Sequence, residues 1–164
     1  FLGLGYGMQL GVVEFARHVA GIEGAHTAEI TKKTPAPVID VMEHQKAHLT
    51  EGRYGGTMRL GSYPCTLKKG TVAERAYKDL SIAERHRHRF EVNEQFIRPL
   101  EEAGLVFSGT SPDGTLMEIM ELPTDVHPFF LGTQFHPEFH ARPLAPHPLF
   151  TAFIKAASRL HERK

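Results

Sequence analysis

Five residues, Gly3-Leu4-Gly5-Tyr6-Gly7, constrain the fold of this chain more than any other segment. Ahead of them runs Phe1-Leu2-Gly3-Leu4, an apolar stretch that reads as the end of a buried parallel strand. Behind them Met8, Val12, Phe15, Ala16 and Val19 recur at helical spacing, and Gly21 supplies a C-cap. The spacing therefore predicts a strand, a tight glycine turn and a helix in immediate succession. A strand in this position, with no partner before it, gives the expectation that the chain is a piece of a longer one.

The rest of the chain alternates strand and helix signals. No period is sustained over residues 24–54, where Thr34-Pro35-Ala36-Pro37 breaks the pattern and the charged stretch 43–53 reads as a surface connection. Residues 57–67 read as extended, 73–80 as a short helix and 85–92 as another strand. Asn93 caps a helical turn, Pro99 restarts one and Gly104 ends it. Strands are expected at 105–109, 116–122 and 129–135, the first two joined by the turn Ser111-Pro112-Asp113-Gly114. Pro148 opens a last helix whose Leu149, Phe153, Ala156 and Leu160 share a face. This pattern is α/β.

Composition removes several function classes. With 19 basic and 19 acidic residues the formal net charge is +0, which gives no footing to nucleic acid or an anionic membrane as the main partner. Three arginines at 85, 87 and 89 lack a wider basic surface or interleaved aromatic residues. No apolar run approaches the roughly 20 residues of a membrane span. The one cysteine, Cys65, rules out an internal disulfide framework and fits a reducing, cytoplasmic setting.

Two segments carry chemistry. Gly3-Leu4-Gly5-Tyr6-Gly7 has the glycine spacing of a nucleophile elbow, in which small residues two before and two after the central position avoid a Cβ clash. The central residue then stands at a helix N-terminus, where N–H groups favour a thiolate and a developing oxyanion. Alone, such a string is more often a plain glycine turn, and it lacks the third glycine of a phosphate loop. The second segment is Gln134-Phe135-His136-Pro137-Glu138, where Glu138 could orient the His136 imidazole while its other nitrogen serves as base. A structural histidine beside a proline turn explains the same residues equally well. His86 and His88 could place two imidazoles on one strand face as metal ligands, but flanking arginines repel a cation and no acidic cluster completes the set.

Taken together, Gly3-Leu4-Gly5-Tyr6-Gly7-Met8-Gln9 and His136-Pro137-Glu138 resemble the class I glutamine amidotransferases, whose triad is Cys-His-Glu. The blocks at residues 56–61, 84–93, 111–114 and 147–150 narrow the resemblance to the CTP synthase family and occur in its order. The resemblance covers the whole chain, residues 1–164, as the C-terminal portion of the glutaminase domain beginning at the elbow. It implies an open, mostly parallel sheet flanked by helices. It also implies L-glutamine as substrate and a synthetase domain of the same enzyme as partner. Ammonia made here would serve the amination of UTP to CTP, with ATP and Mg in that other domain and no cofactor in this one. A cytoplasmic homotetramer is implied as well. By motif position His136 is the general base and Glu138 its orienting partner, with Gly3, Tyr6, Gly7, Met8 and Gln9 at the glutamine site. Glu29 matches the acidic residue for the substrate α-amino group and Arg89 the basic one for its carboxylate, a pairing that suits a free amino acid.

The chain departs from the family at Gly5, where the motif has its nucleophilic cysteine. Without a side chain no thioester can form, so the expectation is a site that does not turn glutamine over. Cys65, inside a strand block, is no natural substitute. Two alternatives stay open on sequence: a catalytically dead glutamine-binding or scaffold module, and a γ-glutamyl hydrolase-like enzyme.

Overall fold

A computed structural model describes residues 1–41 and 58–161. Within these residues nine strands fall into two sheets. The larger has the order β1-β9-β8-β7-β4-β5, built from β1 (Leu2–Leu4), β4 (Arg59–Leu67), β5 (Ser81–His88), β7 (Val106–Thr110), β8 (Met117–Glu121) and β9 (Leu131–Thr133). The smaller has the order β2-β3-β6, from β2 (Ala25–Thr27), β3 (Ala36–Val41) and β6 (Phe90–Val92). Among the described residues four helices flank them: α1 (Tyr6–His18), α2 (Val72–Tyr77), α3 (Glu94–Glu102) and α4 (Pro148–His161), with a 3-10 turn at Pro137–Phe139.

The α/β class and the flanking helices are as expected; the mostly parallel pairing is not. Only β1 with β9 and β2 with β3 run parallel, and the other five pairs are antiparallel. A short turn joins the consecutive antiparallel strands β7 and β8, as such pairs allow. Between β7 and β8 that turn has Gly114 at φ +76° with its N–H donating to the Ser111 carbonyl at 2.8 Å.

Three sequence expectations need correction. Residues 24–41 contain β2 and β3, which the lack of a period concealed. β2 has three residues, and Pro37 is tolerated in β3 because it stands near the strand start, opposite His26 where the register shifts. The strand expected at 85–92 is two strands in two sheets, since β5 pairs with β4 and β6 with β3, and the chain bends at Arg89 between them. Pro99 does not restart a helix; α3 runs through it and forfeits a single N–H bond. Asn93 caps α3 as expected, accepting from the Gln95 N–H at 3.1 Å. The charged stretch 43–53 lies outside the described residues.

Two apolar clusters hold the layers together. On one side Met8, Val12, Phe15 and Ala16 of α1 pack with Val38, Ile39 and Val92 of the smaller sheet and with Phe107 and Met120 of the larger. On the other, Val72, Ala73 and Leu149 of α2 and α4 close over Leu67, Ile119 and Leu131. Helix α1 thus lies between the sheets, and its N-terminus points at the β1–β9 edge, where Gly5 N–H donates to Thr133 O at 2.7 Å.

Candidate active site

The elbow exists as a sharp turn. Gly5 is the N-cap of α1 with φ +52° and ψ −110°, a combination that L side chains adopt only under strain. Gly3 is required by packing, because a Cβ there would stand 2.8 Å from the Gly7 backbone. The matching argument for Gly7 fails: a Cβ on it would meet nothing within 4 Å.

A Cβ built on Gly5 would stand 2.7 Å from both Cε1 and Nε2 of His136. The other ring nitrogen, Nδ1, lies 2.7 Å from Glu138 Oε1; with Nδ1–H donating to that carboxylate, Nε2 is left bare toward Gly5. Backbone geometry fixes this: His136 N–H donates to Arg85 O at 2.9 Å, and Pro137 starts the 3-10 turn that brings Glu138 back to the ring.

These residues open into a cleft of about 420 Å³. Gly5, Tyr6, Gln9, Glu29, Arg89, His136 and Glu138 all line it, residues drawn from α1, the turn after β2, the bend between the sheets and the 3-10 turn. Arg89 reaches it because the chain changes sheets at that residue. Glu29 follows β2, its N–H held by the Thr27 hydroxyl at 3.2 Å. Burial, reinforced by the Glu29 carboxylate, raises the Tyr6 phenol above its ordinary value. Three expected site residues do not line the cleft. Met8 is fully buried in the core, and Gly3 and Gly7 belong to the turn's own packing.

Four lining residues were missed: Met58, Arg87, His88 and Phe90. Arg87 shares strand parity with Arg89 and could have been found from that. His88 belongs to a buried polar group on the opposite face of β5. Arg59 donates to Glu118 at 2.7 Å and to Glu91 at 3.2 Å. His88 Nδ1 donates to Phe90 O at 3.2 Å, so its Nε2 accepts from His86 Nδ1 at 2.8 Å. Phe90 O also accepts from the Gln9 amide at 3.0 Å, which ties this group to α1. Burial, then the Arg59 charge, lowers His86 to about 2 and His88 to about 3, so both rings are neutral. Burial raises Glu91 to about 8 against the pull of Arg59, and it raises Glu118 too.

The sequence argument against a metal at His86 and His88 changes in part. Strand alternation puts Arg85 and Arg87 on the other face of β5, and Glu118 adds a third ligand atom beside His86 and His88, all three lying within 4.8 Å. Yet Arg59 already bonds the Glu118 carboxylate, and the two imidazoles already bond each other. Cys65 offers no second nucleophile: it is 1% exposed, and burial pushes its thiol up to about 12. Among the described residues no helix is long and apolar enough to cross a membrane.

Comparison with known proteins places this geometry in context. The family model described as glutamine amidotransferase class-I matches residues 1–156. CTP synthase of Rubrobacter xylanophilus is 58% identical over 156 residues, which is 95% of this chain and 27% of that protein. CTP synthase of Pelotomaculum thermopropionicum is 56% identical over 164 residues, 100% of this chain and 30% of that one. The chain thus spans less than a third of these curated relatives. Among solved structures, the Trypanosoma brucei CTPS glutaminase domain with bound acivicin superposes with a TM-score of 0.86 at 32% identity, over 96% of this chain and 60% of that one.

Proposed function

Because the chain belongs to the class-I glutamine amidotransferases, we propose that its cleft is the glutamine site of a CTP synthase glutaminase domain, with Gly5 at the position of the nucleophile. The observation that carries this is the Gly5–His136–Glu138 alignment. A side chain at Gly5 would start 2.7 Å from His136 Nε2, while Nδ1 is held by Glu138. Glu29 and Arg89 line the same cleft and supply the carboxylate and guanidinium that a zwitterionic amino acid needs.

With cysteine at position 5 the chemistry follows from these parts. His136 Nε2 takes the thiol proton, and the thiolate attacks the glutamine side-chain carbonyl carbon. The N–H groups at the start of α1, beside Gly5, would receive the developing oxyanion. Collapse of the intermediate breaks the C–N bond, the departing nitrogen takes the proton from His136, and ammonia leaves a thioester. Water, deprotonated by His136, then hydrolyses it to glutamate and thiol. In the present chain the first step has no sulfur. The proposed activity is therefore glutamine binding without turnover, and the dead binding module is the form the function takes here.

On this reading the ammonia-using step, amination of UTP driven by ATP with magnesium, belongs to a synthetase domain of the same enzyme, a cytoplasmic homotetramer. Isothermal titration of the chain with L-glutamine, with ammonia assayed in the same samples, tests the proposal. Saturable binding without ammonia supports it; absence of binding in a folded sample removes it.

A further inference from the structure

Glu138 is exposed to 45%, and its one described hydrogen bond is the one it makes to His136. Its position must therefore come from the backbone that carries it. That backbone is the turn from His136 to His140, closed internally by Phe139 N–H to His136 O at 3.2 Å and His140 N–H to Pro137 O at 3.0 Å. Two successive residues of β5 grip its two ends. At the start, Arg85 O accepts from His136 N–H at 2.9 Å. At the finish, His140 Nδ1 lies 3.0 Å from Glu84 Oε2. This second contact is of ion-pair length but poorly aligned as a hydrogen bond, so Oε2 keeps no aligned donor. Between the ends the Arg85 guanidinium stands 5.7 Å from the Phe139 ring centroid.

Glu84 is an unusual anchor. Only 3% exposed, it accepts from His147 Nε2 at 2.7 Å and from the Tyr77 hydroxyl at 2.8 Å through Oε1. Leu149 N–H donates to His147 Nδ1 at 3.3 Å, which fixes the proton on Nε2. Burial works against the charge, but the hydrogen bonds from His147 and Tyr77 outweigh it and hold the carboxyl below its ordinary value. A buried ionised carboxylate is seldom the cheapest way to fill a core, since apolar residues of the same volume often do as well or better. Its placement calls for a positional reason. Through Oε1 it joins β5 to α2 and α4, and through Oε2 it reaches the end of the turn that carries Glu138.

We propose that Glu84 is a positioning residue, which through His140 clamps the 136–140 turn and so holds Glu138 on His136 Nδ1. This rests on the reading of His136 and Glu138 as base and orienting group. The clamp selects the Nδ1–H tautomer and keeps Nε2 bare toward position 5, whereas a free imidazole favours the Nε2–H form.

The test is the tautomer of His136, read from its ring nitrogen shifts in the labelled chain at mildly alkaline pH, and it needs neither thiol nor substrate. His140 is 42% exposed, so its variants fold where a buried Glu84 variant need not. The expected result is the Nδ1–H form in the parent and in His140→Asn, whose amide nitrogen falls where Nδ1 stands, with reversion to Nε2–H in His140→Ala. Retention of the Nδ1–H form in His140→Ala overturns the clamp. Loss in both variants overturns it too, because the contact to Glu84 would then not be what matters. Glutamine titration of the same samples separates the two ideas: no binding by the parent removes the functional reading, whatever the tautomer does.

Discussion

Replacing Gly5 by cysteine should destabilise the chain. With φ +52° and ψ −110°, Gly5 lies outside even the small left-handed region open to side chains. Holding an L residue in such a conformation costs about 1–3 kcal/mol. The new Cβ also meets the His136 ring at 2.7 Å, short of ordinary van der Waals contact, so the ring must shift against its bond to Glu138. Losing glycine's freedom in the unfolded chain returns roughly 0.4–1 kcal/mol. The net is about 1–2 kcal/mol against Gly5→Cys, which at a urea dependence of about 2 kcal/mol/M lowers the midpoint by roughly 0.5–1 M. Gly7→Ala is the control in the same helix. A Cβ there meets nothing within 4 Å, so this change should be neutral or stabilise by up to about 1 kcal/mol. Urea unfolding followed by far-UV circular dichroism measures both. A Gly5→Cys midpoint equal to or above the parent's would refute the reasoning that the elbow is strained.

The buried group beside the cleft sets the pH response. His86 and His88 stay neutral when folded, so below their ordinary value near pH 6.5 the unfolded chain binds more protons and stability falls as pH drops. Glu91 keeps its proton up to about 8, so from its ordinary value of 4.5 upward the folded chain binds more protons and stability falls as pH rises. Below 6.5 the two histidines oppose the raised carboxyls, and above it Glu91, with Glu118 shifted in the same direction, acts without them. The thermal midpoint should peak near pH 6.5 and decline toward 8, and a decline of the same size in Glu91→Gln would count against this assignment. Arg59→Ala removes the buried donor that both Glu91 and Glu118 accept from and should cost about 1–3 kcal/mol for each carboxyl left unsatisfied, read as a drop of several degrees in the thermal midpoint; a drop of a degree or less would show the cluster tolerates its loss. Arg89→Ala should weaken glutamine binding about 10- to 100-fold, the equivalent of a charge-assisted hydrogen bond of roughly 1.5–3 kcal/mol, and calorimetry that finds the same affinity would remove Arg89 from the ligand site.

The parts of the molecule with local chemistry were legible in the sequence. Strand, glycine turn and helix at residues 1–18 follow from apolar spacing and glycines, and the Asn93 cap and the 111–114 turn follow from side chains that act on their own backbone. What stayed hidden depends on partners distant in sequence. β2 shows no period over three residues, and β3 is recognisable only once Ile39 is seen opposite Val92. The break at Arg89 is a change of sheet, which no local propensity encodes, yet it carries that side chain to the cleft. Met8 misled for the opposite reason, since it is next to site residues in sequence but on the core face of α1. Arg59, Glu91 and Glu118 come from three strands and two sheets, and as isolated charges they look like surface residues until the register brings them together.

The most direct measurement is ammonia release from L-glutamine by this chain and by its Gly5→Cys variant, each joined to the remainder of the Rubrobacter xylanophilus relative, with His136→Ala in both as the baseline. Release in the cysteine form, falling to the baseline with His136→Ala, and none in the glycine form is the predicted result, because His136, Glu138, Glu29 and Arg89 line the cleft beside Gly5. Release by the glycine form above its His136→Ala baseline would contradict the account, since a nucleophile other than residue 5 would then be at work.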